Sequence, residues 1–221
     1  MRISKQIARW ALLVSVVAAF SGCGSSPVGP APVGSGGGGT GGDPNPAAMG
    51  PPILVVHPDG TTSWTQLPLG AGVKPAGTEP GVATNRLEVV EQVDGAAGAK
   101  MRCGRFYLMI PPGTFDGSGS VTMSMEDSTV MVCNLEIFPR ELNSFREPVH
   151  LALCVNDTDA STDTLSIYWN DPDKNEWVSM TCDKDLSAHA ETASAPFPAN
   201  ARGVMTELRH FSRYSAGKAG W

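Results

Sequence analysis

Residues 104–125 read GRFYLMIPPGTFDGSGSVTMSM, and this stretch decides the class of fold. An apolar and aromatic run, Arg105–Ile110, stops at Pro111-Pro112-Gly113, and a second run follows at Ser120–Met125. Proline supplies no backbone donor to a sheet and glycine opens the turn, so the first strand has to end there. Strand, corner, strand is the pattern to look for on either side. It recurs: Ile53–His57, Leu87–Gln92, Val130–Phe138, Val149–Val155, Leu165–Asn170, Glu176–Thr181 and Val204–Ser215 are further short runs. Between them lie HPDG, VDGAAG and NDPDKN, all rich in turn residues. With no long helical period and one expected helical turn, at Asp185–Ala190, the chain reads as all-β, an antiparallel sandwich or barrel. Residues 85–221 suffice for one domain with a core of its own. Residues 51–84 read as a hairpin, ILVVHPDGTTSWTQL, followed by a loop; they either add an edge hairpin or extend the segment before it.

The first 22 residues read as a processing signal. Arg2, Lys5 and Arg9 precede an uncharged apolar run, Trp10–Phe20, that is too short to span a bilayer. Phe20-Ser21-Gly22-Cys23 resembles the lipobox of bacterial lipoproteins, although an aliphatic residue is commoner where Phe20 stands. That resemblance implies cleavage before Cys23, a diacylglycerol thioether on its sulfur and an acyl chain on its new amine. The alternative is an ordinary signal peptide with Cys23 left as an odd thiol. Of the 27 residues from Gly24 to Gly50, 18 are Gly, Pro or Ser and one is charged, Asp43. Such a composition cannot bury apolar surface, so residues 23–50 are expected to be a lipidated cysteine and a disordered tether. As a flexible coil the tether spans roughly 30 Å. Multiple acyl chains give stable anchoring to the membrane. Gly24 stands where an aspartate would be associated with inner-membrane retention, so in a Gram-negative cell the outer membrane is the default.

Without the three basic residues of the signal, the chain carries 13 basic against 22 acidic residues, a formal charge of −9. No basic cluster remains to attract nucleic acid or anionic lipid. Cys103, Cys133, Cys154 and Cys182 are left after Cys23; outside the cytoplasm four read as two disulfides with three possible connectivities. Pairing 154 with 182 and 103 with 133 is preferred, because Cys154 and Cys182 end the outer two of three successive expected strands. The gaps of 29, 20 and 27 residues between them lack the close pairs of a zinc site.

A family resemblance rests on GRFYLMIPPGTFDGSGSVTMSM together with CNLEIFPRELNSFREPVHLAL, a strand, a Pro-bearing loop and Phe-x-x-Pro-Val entering another strand. A hairpin, LSIYWNDPDKNEWVSM, follows, and the last run ends in His-Phe-Ser-x-Tyr. Over roughly residues 87–215 the chain resembles the ZU-five domain, a β-sandwich of ankyrins, netrin receptors and zonula-occludens proteins, and its bacterial surface-protein relatives. The four cysteines and residues 183–200 depart from that pattern. The resemblance implies a binding or structural module that meets a protein or envelope ligand.

In some relatives the His-Phe-Ser tripeptide is a self-cleavage site. Carried over, His210 would take the proton of Ser212, whose oxygen would attack the Phe211 carbonyl, and water would hydrolyse the resulting ester. The competing reading is a last strand with Leu208, His210, Ser212 and Tyr214 on one face and Glu207, Arg209, Phe211 and Arg213 on the other. That leaves Phe211 among charges, which a kink would relieve. A cut there would free only ten residues. Asp171, Asp173, Asn175 and Glu176 offer oxygens to a cation but lack the spacing of a calcium loop, so a solvated hairpin turn is expected. His57, His150, His189 and His210 are scattered, with no G-x-S-x-G or H-E-x-x-H motif, and no phosphate-binding loop is present. The expectation is a protein without cofactor, metal or activity on an external substrate.

Overall fold

The computed structural model describes residues 49–68, 85–186 and 200–221. The signal, Cys23, nearly all of the tether, the loop at 69–84, most of the helical turn expected from Asp185, and His189 lie outside the described residues. Twelve strands account for most of what is described: β1 (Met49–Val56), β2 (Thr62–Pro68), β3 (Leu87–Asp94), β4 (Ala99–Cys103), β5 (Phe106–Ile110), β6 (Ser118–Met125), β7 (Val132–Phe138), β8 (Val149–Cys154), β9 (Leu165–Asp171), β10 (Glu176–Ser179), β11 (Gly203–Leu208) and β12 (Arg213–Lys218). Two single 3-10 turns, Arg140–Leu142 and Thr162–Thr164, interrupt them, and no α-helix occurs among the described residues.

The strands form two antiparallel sheets. The larger runs β10-β9-β12-β7-β6-β3, with the β1–β2 hairpin joined to β12; the smaller runs β11-β8-β5-β4. Alternation sends one face of each sheet inward. In β6, Val121, Met123 and Met125 are buried, while Ser120, Thr122 and Ser124 between them face outward half-exposed. Opposite stand Phe106, Leu108, Leu151, Leu153 and Val204 of the smaller sheet, all fully buried in the same cluster. Each such side chain contributes about 1.5–3 kcal/mol through the apolar area it removes from water. The architecture is the all-β sandwich expected from the strand spacing.

The corner at Pro111-Pro112-Gly113 is where the chain leaves one sheet for the other. β5 belongs to the smaller sheet and β6 to the larger, and Gly113 takes φ +85° in between. Just before it, a strand that the sequence reading overlooked, β4, pairs with β5 through a two-residue turn at Gly104-Arg105. Gly104 at φ +57° satisfies the first position of a type II′ turn. The run Ala-Lys-Met-Arg-Cys is short and weakly apolar, so its strand character shows only once Met101 and Cys103 are seen to be buried.

Two boundaries differ from the expected ones. β1 begins at Met49, inside the stretch read as tether, with a register shift that accommodates Pro51 and Pro52. Its hairpin is an integral part of the sheet. Ile53 faces Gly217 of β12, where an added Cβ would stand 2.9 Å from the Tyr168 ring. The single last strand expected at Val204–Ser215 is instead β11 and β12, one in each sheet, with a break at 209–212.

The expected disulfides are also corrected. All four described cysteines are free thiols. β11 lies between Cys154, opposite Gly203, and the segment holding Cys182, where Asp183 bridges Met205 on the other edge. Two strand spacings amount to about 9–10 Å, beyond the ~7 Å limit between Cα atoms for a disulfide. Cys103 and Cys133 lie on facing sheets in the common core, and burial pushes both thiols up.

Two outcomes follow. Leu54→Ala should lower the free energy of unfolding by about 3 kcal/mol, measured by chemical denaturation, because Leu54 is fully buried. A hairpin that merely lengthened the tether would leave stability unchanged. Alkylation without reductant should modify Cys103, Cys133, Cys154 and Cys182 after denaturation, whereas in the native protein the half-buried Cys182 should react first.

Candidate functional site

The break between β11 and β12 carries the His-Phe-Ser tripeptide, and its geometry follows from the burial of one side chain. A continuous strand would point Phe211 outward beside Arg209 and Arg213. The turn at 209–212 instead brings it inside, 4 % exposed. There its ring meets Phe145 edge-on at 4.7 Å between centroids, and Phe145 in turn lies 6.4 Å from Phe115. The charged neighbours stay outside, so the kink resolves the conflict in the sequence.

Turning the chain removes Phe211 from both ladders, and its backbone polar groups need other partners. Asn143, from the loop between β7 and β8, supplies both. Its Oδ1 accepts from the Phe211 N–H at 2.5 Å, and its Nδ2 donates to the Phe211 carbonyl at 3.0 Å. The neighbours are held as well. The Tyr214 hydroxyl donates to the His210 carbonyl at 2.7 Å, Leu135 N–H donates to the Ser212 carbonyl at 2.8 Å, and Phe145 N–H donates to the Arg209 carbonyl at 3.0 Å. Tyr214 is 1 % exposed, and burial raises its phenol well above the ordinary tyrosine range, so it remains the donor.

The three residues of the alternative, self-cleaving reading are therefore together in space, but His210 and Ser212 are not hydrogen-bonded to each other. The His210 imidazole packs edge-on against Trp169 at 5.1 Å and makes no hydrogen bond with the described residues. Ser212 Oγ donates to the Asn170 carbonyl at 3.4 Å. No bond joins base to nucleophile. The Phe211–Ser212 peptide is trans, and neither residue has positive φ. Asn143 Nδ2 does stand where a donor to an acyl oxygen would be placed.

The other residues singled out in the sequence are dispersed. His57 bonds Ser63 Oγ at 2.9 Å at the β1–β2 turn, and His150 lies in β8 opposite Glu207. Asp171 is buried and accepts from the backbone N–H of Asp173 and Lys174, with the Lys174 ammonium 3.3 Å away. Burial alone would raise its carboxyl, but these bonds prevail and hold it below the usual range. The carboxylate thus closes its own hairpin turn, and Asn175 at φ +52° completes that turn. Among the described residues no three His, Cys, Asp or Glu side chains gather as a metal site.

Asn143 escaped the sequence reading. An asparagine inside PRELNSF carries no motif, and its target lies 68 residues away. Replacing it tests the corner. Asn143→Ala should cost about 3 kcal/mol of stability, since two backbone groups of a buried residue lose their partners. Asn143→Asp should restore little of it, because a carboxylate cannot donate to the Phe211 carbonyl. Chemical denaturation reads both variants, and equal stability of all three proteins would contradict the clamp. Neither the protein-family models nor the curated proteins compared with this chain gave a match.

Proposed function

We propose that this chain is a lipid-anchored protein of the bacterial cell envelope that presents a ZU-five-like β-sandwich as a binding module. The observation that carries the reading is the order of its parts: an apolar signal ending in Phe20-Ser21-Gly22-Cys23, a Gly/Pro/Ser-rich stretch, and a sandwich whose first strand starts at Met49. Such an order serves display. Lipid on Cys23 holds the protein to the outer membrane, the tether keeps the sandwich clear of the head groups, and the loops and sheet faces meet a protein or envelope ligand. Three of the four free thiols are shielded in an oxidising compartment, because Cys103 and Cys133 are 1 % and 0 % exposed and Cys154 is 6 % exposed, while the half-buried Cys182 has no thiol partner in reach.

Self-cleavage at Phe211–Ser212 is the alternative reading, and one feature favours it: the Asn143 amide on the Phe211 carbonyl. It also requires the imidazole of His210 to leave Trp169 and reach Ser212 Oγ. The anchor and the alternative are read in one experiment, intact-mass spectrometry of the full chain recovered from bacterial membranes. Three acyl chains on a mature N-terminal Cys23, and release of Cys23→Ala to the soluble fraction, are expected. An unmodified Cys23 would refute the anchor. A species ending at Phe211 that disappears in Ser212→Ala would establish cleavage.

A further inference from the structure

Beside the corner, on the outer side of the larger sheet, runs a groove of about 470 Å³. This volume is in the range of ligand sites. Arg140, from the turn after β7, and Arg213, the first residue of β12, both line it. Neither guanidinium forms an ion pair or a hydrogen bond with any described residue. For Arg213 this is costly. The residue is half-buried, and its Nε is shut off from water without an acceptor. Burial pushes the guanidinium below its ordinary range, and Glu126 is the charge that partly offsets this. A protein with 22 acidic and 16 basic residues has carboxylates to spare, yet none among the described residues closes on Arg213.

The rest of the lining narrows the chemistry. Glu136 also borders the groove, so its formal charge is +1, from two guanidinium groups and one carboxylate. That balance matches a monoanion better than a phosphate dianion. Arginine meets a carboxylate in a bidentate geometry, here through the terminal nitrogens that have no partner among the described residues. Asn134, opposite Arg213 in the β12–β7 register, is half-buried, and its side-chain amide has no hydrogen-bond partner among the described residues. An unoccupied amide next to a carboxylate site is complementary to a peptide group. Pro172 adds an apolar wall.

We infer that this groove binds the carboxyl terminus of a peptide, with the carboxylate on Arg213 and Arg140 and the last peptide group on Asn134. The inference names the ligand of the binding module proposed above and rests on that reading. Asn143 and Phe211 are also among its lining residues, so the corner that turns the chain borders the site.

Titration calorimetry of the full chain in detergent tests it with N-acetyl-dialanine as the probe. Saturable binding is expected, weakened at least tenfold when the probe is amidated at its C-terminus, and by a similar factor in Arg213→Gln. Arg140→Gln serves as the second variant, because Arg140 is exposed and its replacement leaves the core intact. Glu136→Gln should tighten binding by removing a like charge. No binding of N-acetyl-dialanine, equal binding of the amide, or tighter binding of glucuronate or inorganic phosphate would each overturn the inference. The mass of lipidated Cys23 reads the anchor independently, so a failed groove and a failed anchor are told apart.

Discussion

Phe145 sits between Phe115 and Phe211, and the rest of the sandwich depends on that contact. Each ring comes from a different passage between the sheets. Phe115 lies on the β5–β6 corner, Phe145 on the β7–β8 loop and Phe211 on the β11–β12 break. A sandwich must carry its chain from one layer to the other, and every passage takes backbone groups out of the ladders. Burying three aromatic rings at one end stabilises three passages at once. Polar bonds complete the arrangement: Arg146 N–H donates to the Thr114 carbonyl, the Thr114 hydroxyl to the Pro111 carbonyl, and Asn143 holds Phe211 from both sides. The Pro-Pro-Gly corner and the His-Phe-Ser break are thus two parts of one structure.

This arrangement changes the meaning of the tripeptide. A histidine two residues before a serine invites a reading as base and nucleophile, and a flat strand would place both on the same face. The kink that buries Phe211 separates them. His210 turns to Trp169, Ser212 to the Asn170 carbonyl, and Tyr214 reaches back to the His210 carbonyl as the tyrosine of a sandwich corner does. The same kink leaves Arg213 half-buried at the start of β12, facing a groove rather than a partner. Structural demand at the corner and an unpaired cation beside it have one origin.

Thiol chemistry shows the difference between counting and placing. An even number of cysteines in an exported chain is a sound reason to expect disulfides, but pairing depends on Cα atoms coming within reach. Here β11 intervenes between Cys154 and the Cys182 segment, and Cys103 and Cys133, though neighbours in the common core, are unbonded buried thiols. Their burial makes them small apolar residues that fill space between the sheets.

The sequence alone determined the class of fold, because side-chain alternation and the Pro-Pro-Gly, Asp-Gly and Asn-Asp-Pro turns act within a few residues of themselves. Those signals marked nearly every strand from β1 to β10 and the passage at Pro111–Gly113. They also exposed the misfit of Phe211 in a flat strand, since charges flank it on the same face. β4 was lost because Ala-Lys-Met-Arg-Cys gains its strand character from burial against a distant sheet. Only the tertiary structure decided that the last run breaks in two, that Asn143 reaches Phe211, that the thiols stay free, and that Arg140, Arg213, Asn134 and Glu136 line one groove. Each of these is a contact between residues remote in the chain, and no local period encodes which asparagine will meet which carbonyl.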